Sequence, residues 1–170
     1  MLGFFLAVNM AVCTAQAPAP SSPAIDAKAH ELLSKLTLEQ KILLIGGVGD
    51  MVTNTAPLIN LPRFKMSDAS LGVRTCGPTT AYAGGAALAA TWDREFERKL
   101  GESLGKDART SCVNFLLGPG VNISRSPICG WNFEYLSEDP YLNSALVVPY
   151  IEGVPPQGVT ATVKQYTANN

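Results

Sequence analysis

The sequence predicts an α/β fold, with parallel strands and flanking helices. Three observations carry this. Helical and extended segments alternate along the chain in the order helix, strand, helix, strand, helix, strand, the pattern of a parallel α/β sheet. The run Val113-Asn-Phe-Leu-Leu117 is nearly all apolar, as in a strand covered on both faces. Polar residues follow each strand: Asp68, then Asn122 to Arg125, then Lys164-Gln165. In a β/α barrel or an open α/β sheet, that carboxyl edge is where ligands bind.

Each element has a local cause. Ala27 to Ser34 has helical spacing. Thr37-Leu-Glu-Gln40 is a capping box that starts a second helix through Leu38, Ile42 and Leu43, and Gly46-Gly47 ends it. Gly46, Gly47 and Gly49 close a helix rather than open one, which excludes a dinucleotide loop. Phe64 to Asp68 reads as a short strand. Ala86 to Arg109 reads as one long amphipathic helix with Phe96, Leu100 and Leu104 on one face, capped by Thr91 or Asp93. Val113 to Leu117 is the second strand, with Val121 to Ile123 a brief extension beyond the Gly118-Pro-Gly120 turn. Ser137-Glu-Asp-Pro140 opens a helix to about Glu152, which Pro149 should kink or shorten. Val159 to Val163 is the third strand.

Composition removes several functions. Of 170 residues, 46% are hydrophobic and 16% charged, which excludes disorder for the bulk of the chain. The net charge of -1 offers no basic stripe for nucleic acid. The single histidine, His30, has no cysteine or second histidine near it, so a histidine-based zinc site and a Ser-His-Asp triad are both disfavoured. Cys76, Cys112 and Cys129 form no C-x-x-C pair, which removes metal and thioredoxin-type readings. No cofactor is called for.

The amino end reads as a leader. The first charged side chain is Asp26, and the apolar stretch from Leu2 to Cys13 is too short to span a bilayer. Residues 1–17 are expected to be a signal peptide with an Ala15-Gln-Ala17 cleavage pattern, residues 18–25 a Pro/Ala/Ser-rich linker, and residues 26–170 the folded domain. The expected location is secreted or periplasmic.

Three blocks then stand out: Ser67-Asp-Ala-Ser-Leu-Gly-Val-Arg74, the stretch from Leu116 to Tyr141 that contains Gly130-Trp-Asn-Phe-Glu134, and Gly158 to Asn170 with Lys164-Gln165. Together with Ala86-Ala-Leu-Ala-Ala-Thr-Trp-Asp93, they make the chain from about Leu32 to Asn170 resemble the N-terminal domain of glycoside hydrolase family 3, the β-glucosidase-type enzymes. The resemblance implies a (β/α)8 TIM-like barrel. A full barrel takes about 250 residues, so this chain would hold roughly its first half. It also implies hydrolysis of β-linked glucosides or oligosaccharides with retention, a reaction that needs two carboxyls about 5 Å apart. In the family the nucleophile lies on a later barrel strand and the acid/base generally beyond the barrel, so no catalytic residue is assigned within these 170 residues.

The residues that match belong to sugar binding. By resemblance, Asp68 holds hydroxyls of the terminal glucose unit and Lys164 donates to them. Gln165 stands where the family has histidine, Trp131 where it has arginine, and Ala69-Ser70 where it has Gly-Pro. Glu134 keeps its place, and Arg125 is expected to pair with it. Glu138 and Asp139 resemble a catalytic pair but read better as first-turn residues facing a helix dipole. The alternative is a non-catalytic, degenerate sugar-binding relative, which the changes at Trp131 and Gln165 favour.

Overall fold

The computed structural model describes residues 22–74, 77–165 and 169. The leader assigned to residues 1–17 and Cys76 lie outside the described residues. Helix α1 (Pro23–Ser34) takes in Pro23, Ala24 and Ile25, which the sequence assigns to the linker. Ser22 accepts from the Ile25 N–H at 3.3 Å, and proline at the first helical position costs no hydrogen bond. Helix α2 (Leu38–Ile45) carries the expected capping box: Thr37 Oγ1 accepts from Gln40 N at 3.3 Å, and Thr37 N donates to Gln40 Oε1 at 2.9 Å.

Three short strands form one parallel sheet in the order β1 (Met66–Asp68), β2 (Phe115–Leu117), β3 (Thr160–Ala161). Ser67 pairs with Leu116 and Asp68 with Leu117, while Leu116 also pairs with Ala161. The expected extension at 121–123 is not a strand. Instead, Gly120 bridges in parallel to Lys164 and to Tyr135, so the sheet edge continues as isolated links. The strand covered on both faces is realised on one. Ser67 and Leu116 are fully buried toward the helices, whereas Met66, Asp68, Phe115 and Leu117 are half-buried on the other face.

The helix expected over 86–109 is two helices, α3 (Gly85–Ala89) and α4 (Arg94–Thr110). Trp92 adopts a left-handed φ of 54°, and Asp93 then caps α4 by accepting from the Glu95 and Phe96 amides. A strong cap seven residues into a helical pattern ends one helix and begins the next. Helix α5 (Pro140–Gly153) is capped by Asp139, whose Oδ1 accepts from Tyr141 N at 2.8 Å, so Glu138 falls outside the helix. Pro149 does not shorten it. Its missing N–H leaves the Ala145 carbonyl without an intrahelical partner, yet the helix continues to Gly153.

Helices α4 and α5 pack against each other and over Leu116, with Leu104, Ala108, Leu146 and Val154 forming the fully buried centre. Their approach is set by glycine. A Cβ on Gly101 would collide with the Tyr150 carbonyl, and one on Gly153 with the Arg98 carbonyl and, at 2.8 Å, the Glu102 nitrogen. Two βα units docked in this way bring the carboxyl ends of all three strands to one rim. No described helix is long and apolar enough to cross a membrane.

Candidate functional site

The rim is built by the backbone first. The buried Ser67 Oγ accepts from Arg74 N at 3.0 Å and donates to the Asp68 carbonyl at 2.9 Å, which folds the loop after β1 back over the strand end. Asn122 Oδ1 accepts from Gln165 N at 3.1 Å, which fastens the segment after β3 to the loop after β2. Asn122 is itself buried, so its Asn-Ile-Ser sequon is spent on structure. The Lys164–Gln165 peptide bond is cis.

Four charged side chains then alternate in sign along this rim. Lys164 Nζ donates to Asp68 Oδ1 at 3.0 Å and lies 3.0 Å from Glu134 Oε2. The second contact is an ion pair set off the hydrogen-bond direction. Arg74 reaches Glu134 Oε1 at 3.4 Å. Exposure is graded: the Glu134 side chain is 1% exposed, Lys164 15%, Asp68 31% and Arg74 42%. A buried carboxylate is tolerated when cations hold both its oxygens, and Glu134 meets that condition. Asp68 Oδ2 has no partner among the described residues, so the carboxylate retains an acceptor for an incoming hydroxyl.

Aromatic rings back each cation. Trp131 and Phe133 stack with centroids 6.2 Å apart, 24° from parallel. Lys164 Nζ lies 5.8 Å from the Trp131 centroid, and the Arg74 guanidinium 5.9 Å from that of Phe133. Trp131 therefore joins the cluster through its π face, while remaining half exposed. Gln165 is engaged from the other side. Its Oε1 accepts from the Tyr135 hydroxyl at 3.2 Å and from Asn169 Nδ2. Burial pushes the Tyr135 phenol above its ordinary value, so it stays a donor at neutral pH.

The structure brings Asp68, Lys164, Glu134 and Trp131 together, with Gln165 beside them. It corrects one pairing: Glu134 meets Arg74 and Lys164, not Arg125. Arg125 is exposed on the loop after Ile123, which carries it away from Glu134. Asn122 was placed at the strand end by the sequence, whereas Arg74, Phe133 and Tyr135 were not singled out as site residues. Arg74 ends the Ser67–Arg74 block, and Trp131, Phe133 and Tyr135 alternate around Glu134, so spacing alone held the signal. With each carboxylate tied to a cation, the rim offers acceptors, donors and ring faces. Such a set of groups is able to hydrogen-bond and stack on a polyol.

Comparison with known proteins agrees with this geometry. The profile of the Glycosyl hydrolase family 3 N terminal domain matches residues 44–170. Thermostable beta-glucosidase B of Acetivibrio thermocellus is 40% identical over 159 residues, covering 86% of this chain and 21% of the relative. Beta-glucosidase BoGH3A of Bacteroides ovatus is also 40% identical over 159 residues, with the same coverage. Among solved structures, beta-glucosidase 3B from Thermotoga neapolitana in complex with glucose superimposes with a TM-score of 0.78 at 36% identity, over 84% of this chain and 23% of that one. The β-glucosidase of Kluyveromyces marxianus in complex with glucose gives 0.78 at 31% identity, over 82% and 17%. The chain thus spans about a fifth of the length of the curated relatives it matches. The profile match over most of the chain, the parallel βα units and the charged rim at their carboxyl ends together identify the chain as a member of glycosyl hydrolase family 3, carrying residues of its N-terminal, TIM-barrel-like domain.

Proposed function

We propose that this chain contributes the glucose-binding rim of a retaining β-glucosidase-type hydrolase acting on β-linked glucosides or oligosaccharides. The observation that carries this reading is the meeting of Asp68 and Lys164, 96 residues apart, in one 3.0 Å contact at the strand ends, with Glu134 beneath. Relatives named as β-glucosidases and neighbours solved with glucose support it. Asp68 accepts two sugar hydroxyls, Lys164 donates to a third, and Trp131 offers a ring face to the sugar. By family resemblance, the attacking and protonating carboxyls map outside these residues.

The expected result for the purified 170-residue chain is glucose binding in the millimolar range, where binding is worth about 4 kcal/mol, with no turnover of an aryl β-glucoside. Asp68→Ala should weaken binding roughly tenfold or more, the loss expected for charge-assisted hydrogen bonds. Titration by NMR measures both. Unchanged affinity in Asp68→Ala, or turnover above a host-enzyme blank, overturns the reading.

We further propose export. The apolar, charge-free segment before Asp26 and the Ala15-Gln-Ala17 pattern support a cleaved leader. A reporter fused after Ser22 should reach the periplasm or medium with its leader removed. Recovery of uncleaved cytosolic fusion alone would refute this.

A further inference from the structure

Beneath the charged rim lies a small cavity between the loops that follow β1 and β2, helix α3 and the last turn of α5. Its lining includes Ser70, Gly120, Leu136, Tyr150 and Glu134, and its volume is about 10 Å³. The walls are not uniformly apolar. Ser70 Oγ and the Tyr150 hydroxyl are both buried without a hydrogen-bond partner among the described residues. Tyr150 is 4% exposed and Ser70 8%. Gly118 leaves room for the Tyr150 hydroxyl, since a Cβ there would sit 3.1 Å from it. Glu134 Oε2 faces Lys164 in an ion pair set off the hydrogen-bond direction, so one lone pair is still available.

Two orphaned hydroxyls beside a carboxylate oxygen around one cavity would be costly if left dry, at about 1–3 kcal/mol for each hydroxyl. A water molecule needs roughly 10–15 Å³ of such space and two to four polar partners. The cavity meets both conditions at the lower bound. We propose that it is a binding site for a single ordered water held by Ser70, Tyr150 and Glu134. The water ties helix α5 to the carboxylate that grips Lys164. The Tyr150 hydroxyl donates to the water, the water donates to Glu134, and Ser70 completes its shell. The burial that pushes the Tyr150 phenol upward keeps that proton on Tyr150 throughout the neutral range. The rim is then continuous with the helix layer through hydrogen bonds and not only through packing. This inference is independent of which sugar, if any, the rim takes.

Thermal unfolding separates a hydrated cavity from a dry one by the sign of the effect. If water binds, Tyr150→Phe and Ser70→Ala each remove one of its partners, and each lowers the unfolding midpoint by a few degrees. The double variant then falls by less than the two drops combined, because both act on the same water. If the cavity is dry, each substitution deletes an orphaned hydroxyl and raises the midpoint, which overturns the proposal. Water-to-protein NOEs from a long-lived water to Ser70 and Tyr150 are expected in the wild-type chain, and their absence also overturns it. The link to the rim has its own readout. The Lys164 ammonium nitrogen resonance should shift in Tyr150→Phe but not in Ser34→Ala, whose hydroxyl bonds only the Glu31 carbonyl on the exposed helix α1. An unmoved Lys164 signal refutes the connection to Glu134. Should Tyr150→Phe fail to fold, Ser70→Ala alone supplies the same sign test.

Discussion

Gly101→Ala should lower the thermal unfolding midpoint by about 4–8 °C, which for a chain of this size corresponds to roughly 2 kcal/mol. The added methyl would collide with the Tyr150 carbonyl and come within 3.1 Å of its carbon. Both are helix backbone, so no side chain can rotate away. Helices α4 and α5 would have to separate, loosening the contacts of Leu100, Leu104, Leu146 and Val154. Overpacking of this kind costs about 1–3 kcal/mol. Against it stands alanine's better helix propensity, worth about 1 kcal/mol over glycine. The clash wins because all three atoms that the new methyl meets, the Tyr150 carbonyl oxygen and carbon and the Gly153 Cα at 3.3 Å, are backbone of the facing helix, so relief requires the whole seam to open. Gly101→Val, which adds bulk and lacks alanine's helix propensity, should leave little folded protein. Circular dichroism melts of Gly101→Ala beside Gly130→Ala give the measurement. Equal midpoints would mean that the helices do not touch as described.

Glu97→Gln should stabilise the chain at pH 8 by about 2 kcal/mol and flatten its dependence on pH. Glu97 is fully buried in α4, and neither carboxyl oxygen has a hydrogen-bond partner among the described residues. Burial alone pushes its carboxyl up to about 7 from an ordinary 4.5. Below pH 4.5 the acid is protonated both folded and unfolded, and its contribution to stability is fully present. Between 4.5 and 7 the folded chain keeps the proton while the unfolded chain releases it. Stability therefore falls by up to about 1.4 kcal/mol per pH unit as pH rises. Above about 7 the buried group is charged in the native state too, and the decline levels off. Glutamine keeps the shape and never ionises, so the loss disappears. Urea unfolding of both proteins at pH 5 and pH 8 provides the test. A wild type no less stable at pH 8 than at pH 5 would show that Glu97 has a compensating partner.

The parts of the fold that were legible in the sequence are those with local causes. The capping box at Thr37 and Gln40, the Asp93 cap and the apolar run at Phe115–Leu117 all depend on residues a few positions apart. The break at Trp92 was half legible, because the cap that starts α4 was visible while the left-handed residue before it was not. Pro149 signalled a kinked or shortened helix; the helix is not shortened and runs four residues past it to Gly153. In the site, Asp68, Lys164 and Glu134 were recognisable through their motif blocks, and the comparisons establish the family those blocks resemble. The partner of Glu134 was not recognisable. Arg125 is near in sequence and in the same loop, yet Arg74 and Lys164 arrive from 60 and 30 residues away. Only the parallel register, which aligns Ser67 with Leu116 and Leu116 with Ala161, decides that meeting. The hydroxyls of Ser70 and Tyr150 left no trace in the pattern, because an orphaned buried group is a property of packing.

The 96-residue span between Asp68 and Lys164 also has a kinetic consequence. Closing a flexible loop of that length costs about 4 kcal/mol of chain entropy. A partly exposed ion pair returns about 1 kcal/mol at most. The contact therefore cannot nucleate its own formation. It must wait until both βα units have condensed and shortened the effective loop, which is the slow route typical of parallel sheets. Assembly of the charged rim is then a late event in folding, completed after the helical layer. Partly folded chains would hold native-like α4 and α5 yet lack the charged rim.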